Sequence, residues 1–352
     1  MKFKSHLIRN IIFLILIALF IWYAFSHRGE FNKLVEALVQ GSWRWLLLAG
    51  VTQALYYCAY SFMTKLAFGI VHLKRKFKEI LPLVFGSLFV NVLAPTGGMT
   101  GTILFADDAA RRKESPSKAI IANFIATVSS YVAFSFILVF SIIYLRQTGL
   151  LNTYEIIGSI VFIFPTVYPI ILIITAFKKP NITLKLLSSL YRLIVRFSKL
   201  IRRPSRLSED WPKRISDELI EAALLVSKNK KQIIKTLIIA LIAHAINILS
   251  IFVIFIAFDY NIHYGALIAG YAFGEVARII SPQPEGIGVV EIVMTIIFTS
   301  FGVPPIQAAA ISIVFRGFNF WFPLGIGFLL LKKLKSFSNN PAVKDKEPEN
   351  KI

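Results

Sequence analysis

Ser281-Pro282-Gln283-Pro284-Glu285-Gly286-Ile287-Gly288 interrupts an otherwise apolar run from about 264 to 301. Proline removes a backbone donor and glycine admits left-handed backbone, so no helix passes through this stretch unbroken. Neither flank is a comfortable bilayer span by itself, which takes about 20 residues. A similar interruption lies 189 positions earlier, where Leu93-Ala94-Pro95-Thr96-Gly97-Gly98 divides the apolar run 79–106. Pro95 maps onto Pro284 and Gly97 onto Gly286. Broken hydrophobic segments at matching positions of two halves mark transporter-type sites. Non-helical backbone survives at membrane depth only where protein or a water-filled cavity covers it.

The rest of the chain fits that setting. Its 352 residues are 56% hydrophobic and only 16% charged, with a mean hydropathy of +0.67; soluble globular chains carry roughly 25% charged residues. Full spans are read at about 11–25, 45–66, 119–145, 156–177, 233–258 and 307–331. The run 11–25 follows Lys2, Lys4 and Arg9 and ends in Trp22 and Tyr23. It is read as an uncleaved span rather than a signal peptide, because many spans follow and an aromatic pair suits an interface. The expected fold is therefore an all-α integral membrane protein with about six full spans plus two re-entrant helical hairpins in an inverted repeat. One polytopic membrane domain covers 1–335, and the polar tail 336–352 is expected to be disordered.

The net charge of +20 sits in the links between spans. A nucleic-acid domain would gather it on one folded face. Here it reads as orientation and attraction to anionic lipid. Segments 65–78 and 111–118 are both basic, so 79–106 enters from the cytoplasm and returns. The link 178–231 holds 14 Lys/Arg against 5 Asp/Glu and is expected to be a cytoplasmic amphipathic segment. Lys185, Ser188, Ser189, Arg192, Arg196, Lys199 and Arg203 form a helical stripe there, flanked by Leu184, Leu187, Tyr191, Ile194 and Phe197, as in a helix lying on anionic lipid. By contrast, 259–263 and 302–306 contain no Lys or Arg, so the second interrupted stretch enters from outside. On this assignment 33 of the 39 Lys and Arg are cytoplasmic, and both termini lie on that side of the cell membrane. A shift of 189 carries span 45–66 onto 234–255 and span 119–145 onto 308–334, giving repeat units of about 27–145 and 216–334.

Ionisable residues inside spans are costly and are functional candidates by default. Glu275, Arg278, Glu285, Glu291 and Arg316 gather in the second half. Glu275 and Arg278 are three apart and share a helix face. Glu285 and Glu291 flank the break, where a resuming helix presents free N–H groups and a positive end. Arg316 lies too deep in its span to reach a surface. It needs an acidic partner or a wet cavity, and a guanidinium is also well shaped to meet a substrate phosphate. Asn319 is one turn further on. In the first half, Asn91, Thr96 and Thr100 supply polar groups around the tip, and Asp107 and Asp108 close the hairpin. His244 and Asn247 share one span. The single cysteine, Cys58, is read as a small buried residue. No nucleotide-binding, zinc-protease or nucleophile-elbow motif is present, so no cofactor and no metal are expected.

The second interruption, read through Val289-Val290-Glu291, resembles the Pro-x-Pro-x-Gly-x-Gly-x-x-Glu signature of the flippase-type membrane domain of lysylphosphatidylglycerol synthase, the multiple peptide resistance factor. Pro282, Pro284, Gly286, Gly288 and Glu291 match, while Glu285 stands where glycine is expected. The first tip, Pro95-Thr96-Gly97-Gly98, fits less specifically. The span pattern resembles the family from residue 7 to about 335. The resemblance implies a lipid flippase moving aminoacylated or other phospholipids, or lipid-linked glycans, between leaflets. In the synthases a soluble domain transfers the amino acid from tRNA; that domain is expected to be missing from this chain, and the transferase reaction is not expected of it. Arg316 is expected to meet phosphate, and Glu285 or Glu291 a cationic lysyl group. Membrane phospholipids, anionic cytoplasmic lipid and a separate lipid-modifying enzyme are the expected partners, with no nucleic acid. A proton-coupled transporter of a small solute and a membrane component of phosphatidylglycerol lysyltransferase-type modification are the alternatives.

Overall fold

The structure is a computed structural model that describes residues 36, 38–39, 41–93, 100–200, 208–281 and 283–331. Its helices, in chain order, are α1 (Trp43–Ile70), α2 (Phe77–Leu93), α3 (Thr100–Arg111), α4 (Pro116–Gln147), α5 (Thr153–Lys178) and α6 (Pro180–Leu200). There follow α7 (Trp211–Lys228), α8 (Lys230–Ala257), α9 (Tyr264–Ile280), α10 (Val289–Ser300), α11 (Pro305–Arg316) and α12 (Phe322–Leu331). A 3₁₀ turn at Pro284–Gly286 precedes α10, and a π turn at Gly317–Trp321 joins α11 to α12. Among the described residues no strand occurs.

Five segments are long and apolar enough to cross a membrane: α1, α4, α5, α8 and the run Pro305–Leu330 through α11 and α12. They coincide with the spans read from the sequence. The remaining expected span, 11–25, and the tail 336–352 lie outside the described residues. Local chemistry sets several of these boundaries. The Ser115 hydroxyl accepts the Lys118 N–H at 3.4 Å while Pro116 opens α4. The Glu155 carboxylate accepts the Asn152 N–H at 2.9 Å at the start of α5. Such contacts satisfy donors that the first helical turn leaves unpaired.

Both interrupted stretches are antiparallel helical hairpins. In α2–α3, Glu79 near the start of α2 meets Arg112 just past α3 at 2.8 Å, while Asn91 near the other end of α2 accepts the Gly101 N–H at 2.6 Å. In α9–α10, Gly270 faces Phe298 and Gly274 faces Met294. The first legs have 17 residues and the second legs 12. At 1.5 Å per residue these are about 25 Å and 18 Å long, short of a ~30 Å hydrocarbon core.

α1 packs along α8, and the two hairpins cross over this pair: α2 lies against α12, and α9 against α4. One buried cluster forms where α9 and α10 meet α4, α8 and α11, built on Phe134, Phe255, Tyr271, Met294 and Phe298. A second holds α2 and α3 against α1, α4 and α12 through Phe68, Ile80, Phe89, Phe105 and Leu324.

The link 178–231 folds into α6 and α7, which bury Leu187, Leu219 and Ala223 against Leu172 and Ala176 of α5. Lys185, Arg192 and Arg196 remain exposed on α6, together with Leu184 and Ile194. Arg203 lies outside the described residues. One expectation is corrected: Cys58 is exposed. The buried face of α1 falls instead on Gln53, Tyr57, Ser61 and Thr64, one helical turn apart in succession, leaving Cys58 on the outward side.

Candidate functional site

The tip of the second hairpin is a run of unusual backbone. α9 stops at extended Ser281, and Glu285, Gly286 and Gly288 follow with φ of 50°, 65° and 77°. At Gly286 a Cβ would lie 2.8 Å from the Arg278 Cα, so the tip folds back on α9 as it can only with glycine there. Gly288 is the N-cap of α10 and puts Glu291 in that helix's first turn, at its positive end. Pro282, together with the whole first tip at Pro95, Thr96, Gly97 and Gly98, lies outside the described residues.

Four of the five charged candidates converge on one space. Arg278 bridges Glu275 at 2.8 Å and Glu285 at 3.0 Å. The Nη2 of Arg316 donates to the Glu285 carbonyl at 2.8 Å, its Nε to Glu291 at 2.9 Å, and its guanidinium stands 4.7 Å from the Phe320 ring centre. Arg316 is 2% exposed at its side chain and Arg278 28%. Arg316 therefore has the acidic partner that its depth demands, and Arg278 is the cation with more open surface.

Together with Glu275, Arg278, Glu285 and Arg316, a cavity of about 160 Å³ is lined by Asn91 and Gly101 of the first hairpin and by Asn319. Its walls add Tyr56, Tyr57 and Tyr60 from α1, and Asn123, Thr127, Ser130 and Tyr131 from α4. Sequence reasoning missed these seven. The signal was present: 123, 127, 130 and 131 recur at helical spacing on one face of a span. The α1 tyrosines were passed over, since aromatic residues also suit lipid-facing positions.

The π turn places Asn319. Its carbonyl accepts the Tyr57 hydroxyl at 2.7 Å, and its amide donates to Asn247 Oδ1 at 3.2 Å, tying α1 and α8 to this turn beside Arg316. Such single-turn insertions recur at functional sites. His244, also on the cavity, holds the Tyr271 hydroxyl at Nδ1 (2.6 Å) and Ser130 Oγ at Nε2 (3.2 Å).

Glu291 and Gly288 do not line this cavity. They border a second one, about 360 Å³, between α10 and α11, whose other walls include Ile292, Ile296 and Ile313. Arg316 lines both.

Away from the cavity, an ion-pair network closes the base of the first hairpin. Asp108 pairs with Arg112 at 2.9 Å and Arg75 at 3.4 Å; Arg112 also holds Glu79, and Arg75 holds Glu114. Asp107 pairs with Arg111 one turn on, at 2.7 Å. Hydrogen bonds from Arg75 keep the Glu114 carboxyl below its ordinary range. Both aspartates thus act at the hairpin base and not at the tip.

Comparison with known proteins points to a membrane family. The chain matches the sequence family described as "Lysylphosphatidylglycerol synthase TM region" over residues 10–327. It is similar to a UPF0104 membrane protein of Methanocaldococcus jannaschii, 24% identical over 94% of this chain and 97% of the relative. A second UPF0104 membrane protein, from Pyrococcus horikoshii, is 23% identical over 90% of this chain and 94% of its own length. A third, from Methanothermobacter thermautotrophicus, is 30% identical over 90 residues. The chain is a membrane protein that belongs to the lysylphosphatidylglycerol synthase transmembrane-region family.

Proposed function

We propose that the chain is a flippase-type lipid translocase, moving phospholipids between leaflets, with lysylphosphatidylglycerol and other aminoacylated or glycosylated lipids as its substrate class. One observation carries this reading: a polar cavity holding two arginines and two glutamates lies between the second tip and the two helices of the first hairpin, and the legs of both hairpins are too short to cross a bilayer. A lipid headgroup meets a steep barrier in bare hydrocarbon, where even one charged residue costs about 2.5–3.5 kcal/mol by insertion scales. The cavity offers it complementary charge instead, while its acyl chains stay in the bilayer. Arg278, the more open guanidinium, meets the lipid phosphate with Arg316 behind it. Glu275 and Glu285 accept a cationic lysyl group.

The two hairpins enter from opposite faces in this reading, as the basic links require, and the repeat units are related by inversion. The reciprocal packing of α2 on α12 and α9 on α4 supports that relation. Both termini and the α6–α7 link lie on the cytoplasmic side of the cell membrane.

Vesicles holding the purified chain test the proposal with headgroup-labelled phosphatidylglycerol and its lysyl form, read by an outer-leaflet quencher. Protein-dependent quenching beyond one leaflet's share is expected, lost with Arg278→Ala and kept with Lys185→Ala. Quenching that stops at one leaflet's share, with folded protein, overturns it.

The His244–Tyr271 contact on the cavity favours a second reading, proton-coupled transport of a small solute. Solute uptake driven by a pH gradient, with no lipid movement, would establish that reading instead.

A further inference from the structure

We infer that the cavity between α10 and α11 is a lateral seat for a phospholipid whose headgroup donates a hydrogen bond, entered directly from the bilayer. This rests on the lipid-translocase reading and adds an entry site to it. The cavity of about 360 Å³ falls within the ~300–1,000 Å³ common for small-molecule sites. Its walls, Ile292, Ile296, Ala309, Ile313 and Trp321, are apolar. Ile292 and Ile296 are 61% and 57% exposed, and Ile306 at the head of α11 is 77% exposed. A face this apolar on a membrane helix meets acyl chains, so the opening admits lipid rather than water.

The floor is different in kind. Glu291 and Arg316 sit there, one carboxylate oxygen taken by the Arg316 Nε. The other, Oε2, is buried with no hydrogen-bond partner. A buried acceptor of a charged group is costly to leave unsatisfied. The nearby Thr295 hydroxyl does not serve it, since it donates to the Glu291 carbonyl at 2.7 Å. An apolar trough bordered by a carboxylate with one unpaired oxygen suits an amphiphile with an alkyl chain and an ammonium or hydroxyl group. Phosphatidylethanolamine and phosphatidylglycerol carry such donors, and phosphatidylcholine carries none. Because Arg316 lines both cavities, a lipid seated here has its head one side chain away from the polar space between the hairpins.

The test uses the full chain in phosphatidylcholine vesicles doped with phosphatidylglycerol bearing a photoreactive acyl chain, followed by peptide mapping. Excess labelling is expected at Ile292, Ile296 and Ile313 over the bilayer-facing Ile156, Ile160 and Ile163 of α5. Unlabelled phosphatidylglycerol or phosphatidylethanolamine should remove the excess, and phosphatidylcholine should not. Ala309→Phe, which fills the trough, should abolish it; the competition on the unmodified chain stands even if that variant misfolds. Uniform labelling, equal competition by phosphatidylcholine, or crosslinks between two copies of the chain at this face would overturn the inference. Loss of transbilayer exchange with the excess labelling intact would instead count against the translocase reading and leave the seat standing.

Discussion

Glu285 holds left-handed backbone, φ 50°, at the position where the related motif leads one to expect glycine. That conformation costs an ordinary residue about 1–2 kcal/mol. Two contacts offset it: the carboxylate on Arg278 at 3.0 Å and the carbonyl under Arg316 at 2.8 Å. Glu285→Gly removes the strain and only the first contact, so its stability should stay within about 1 kcal/mol of the parent in thermal unfolding. Its selectivity should move, with lysyl lipid losing ground to phosphatidylglycerol in competition for transport. The Arg316–Glu291 pair behaves oppositely. Glu291→Ala strands a buried guanidinium and should cost about 3–5 kcal/mol, most of it recovered when Arg316→Met is added. An equal loss in the single and double variants would show that the pair itself is not what matters. These charged residues were legible in the sequence because an ionisable group in an apolar span is conspicuous. Their pairing was not, since Glu291 reaches Arg316 across 25 residues and a helical turn whose phase only packing decides.

The hairpins were legible as elements because Pro-Gly breaks and the placement of basic links both point to chain that enters and returns. What holds each hairpin in place was not. Gly327 of α12 would put a Cβ 2.3 Å from the Phe85 carbonyl of α2. Gly327→Ala should therefore push the first hairpin off α12 and lower the unfolding midpoint, whereas Gly325→Ala, with open space around it, should not. The ion-pair network at the base of α2–α3 joins residues up to 39 positions apart, beyond the reach of local periodicity. It carries a pH signature. Because Arg75 holds the Glu114 carboxyl below its ordinary value of 4.5, the pair contributes stability above that value. The contribution fades as pH falls through the lowered value. The chain should thus melt higher than Glu114→Gln at neutral pH, and the difference should vanish on acidification; a gap that persists in strong acid would contradict this. The π turn had no sequence signal, being one extra residue accommodated so that Asn319 meets Tyr57 and Asn247.

At the scale of the whole molecule, α1, α2 and α3 contain 28, 17 and 12 residues, and α8, α9 and α10 contain 28, 17 and 12. These equal lengths accompany the spacing of 189 read in the sequence, and membrane thickness constrains element length more tightly than it constrains side chains. The cavity was less legible. It is lined from α1, α2, α3, α4, α8, α9, α11, α12, the second tip and the π turn, and only the folded arrangement brings them to one place. In the translocase reading that space receives a lipid headgroup, and Thr127 on its wall gives direct access to it. With Cys58→Ser as background, Thr127→Cys in vesicles should react with a small membrane-impermeant thiol reagent, and short-chain phosphatidylglycerol should protect it. Ser141→Cys, buried elsewhere on the same helix, should stay inert. A Thr127→Cys chain that never reacts, or reacts with no protection by the lipid, would contradict a headgroup path between the hairpins.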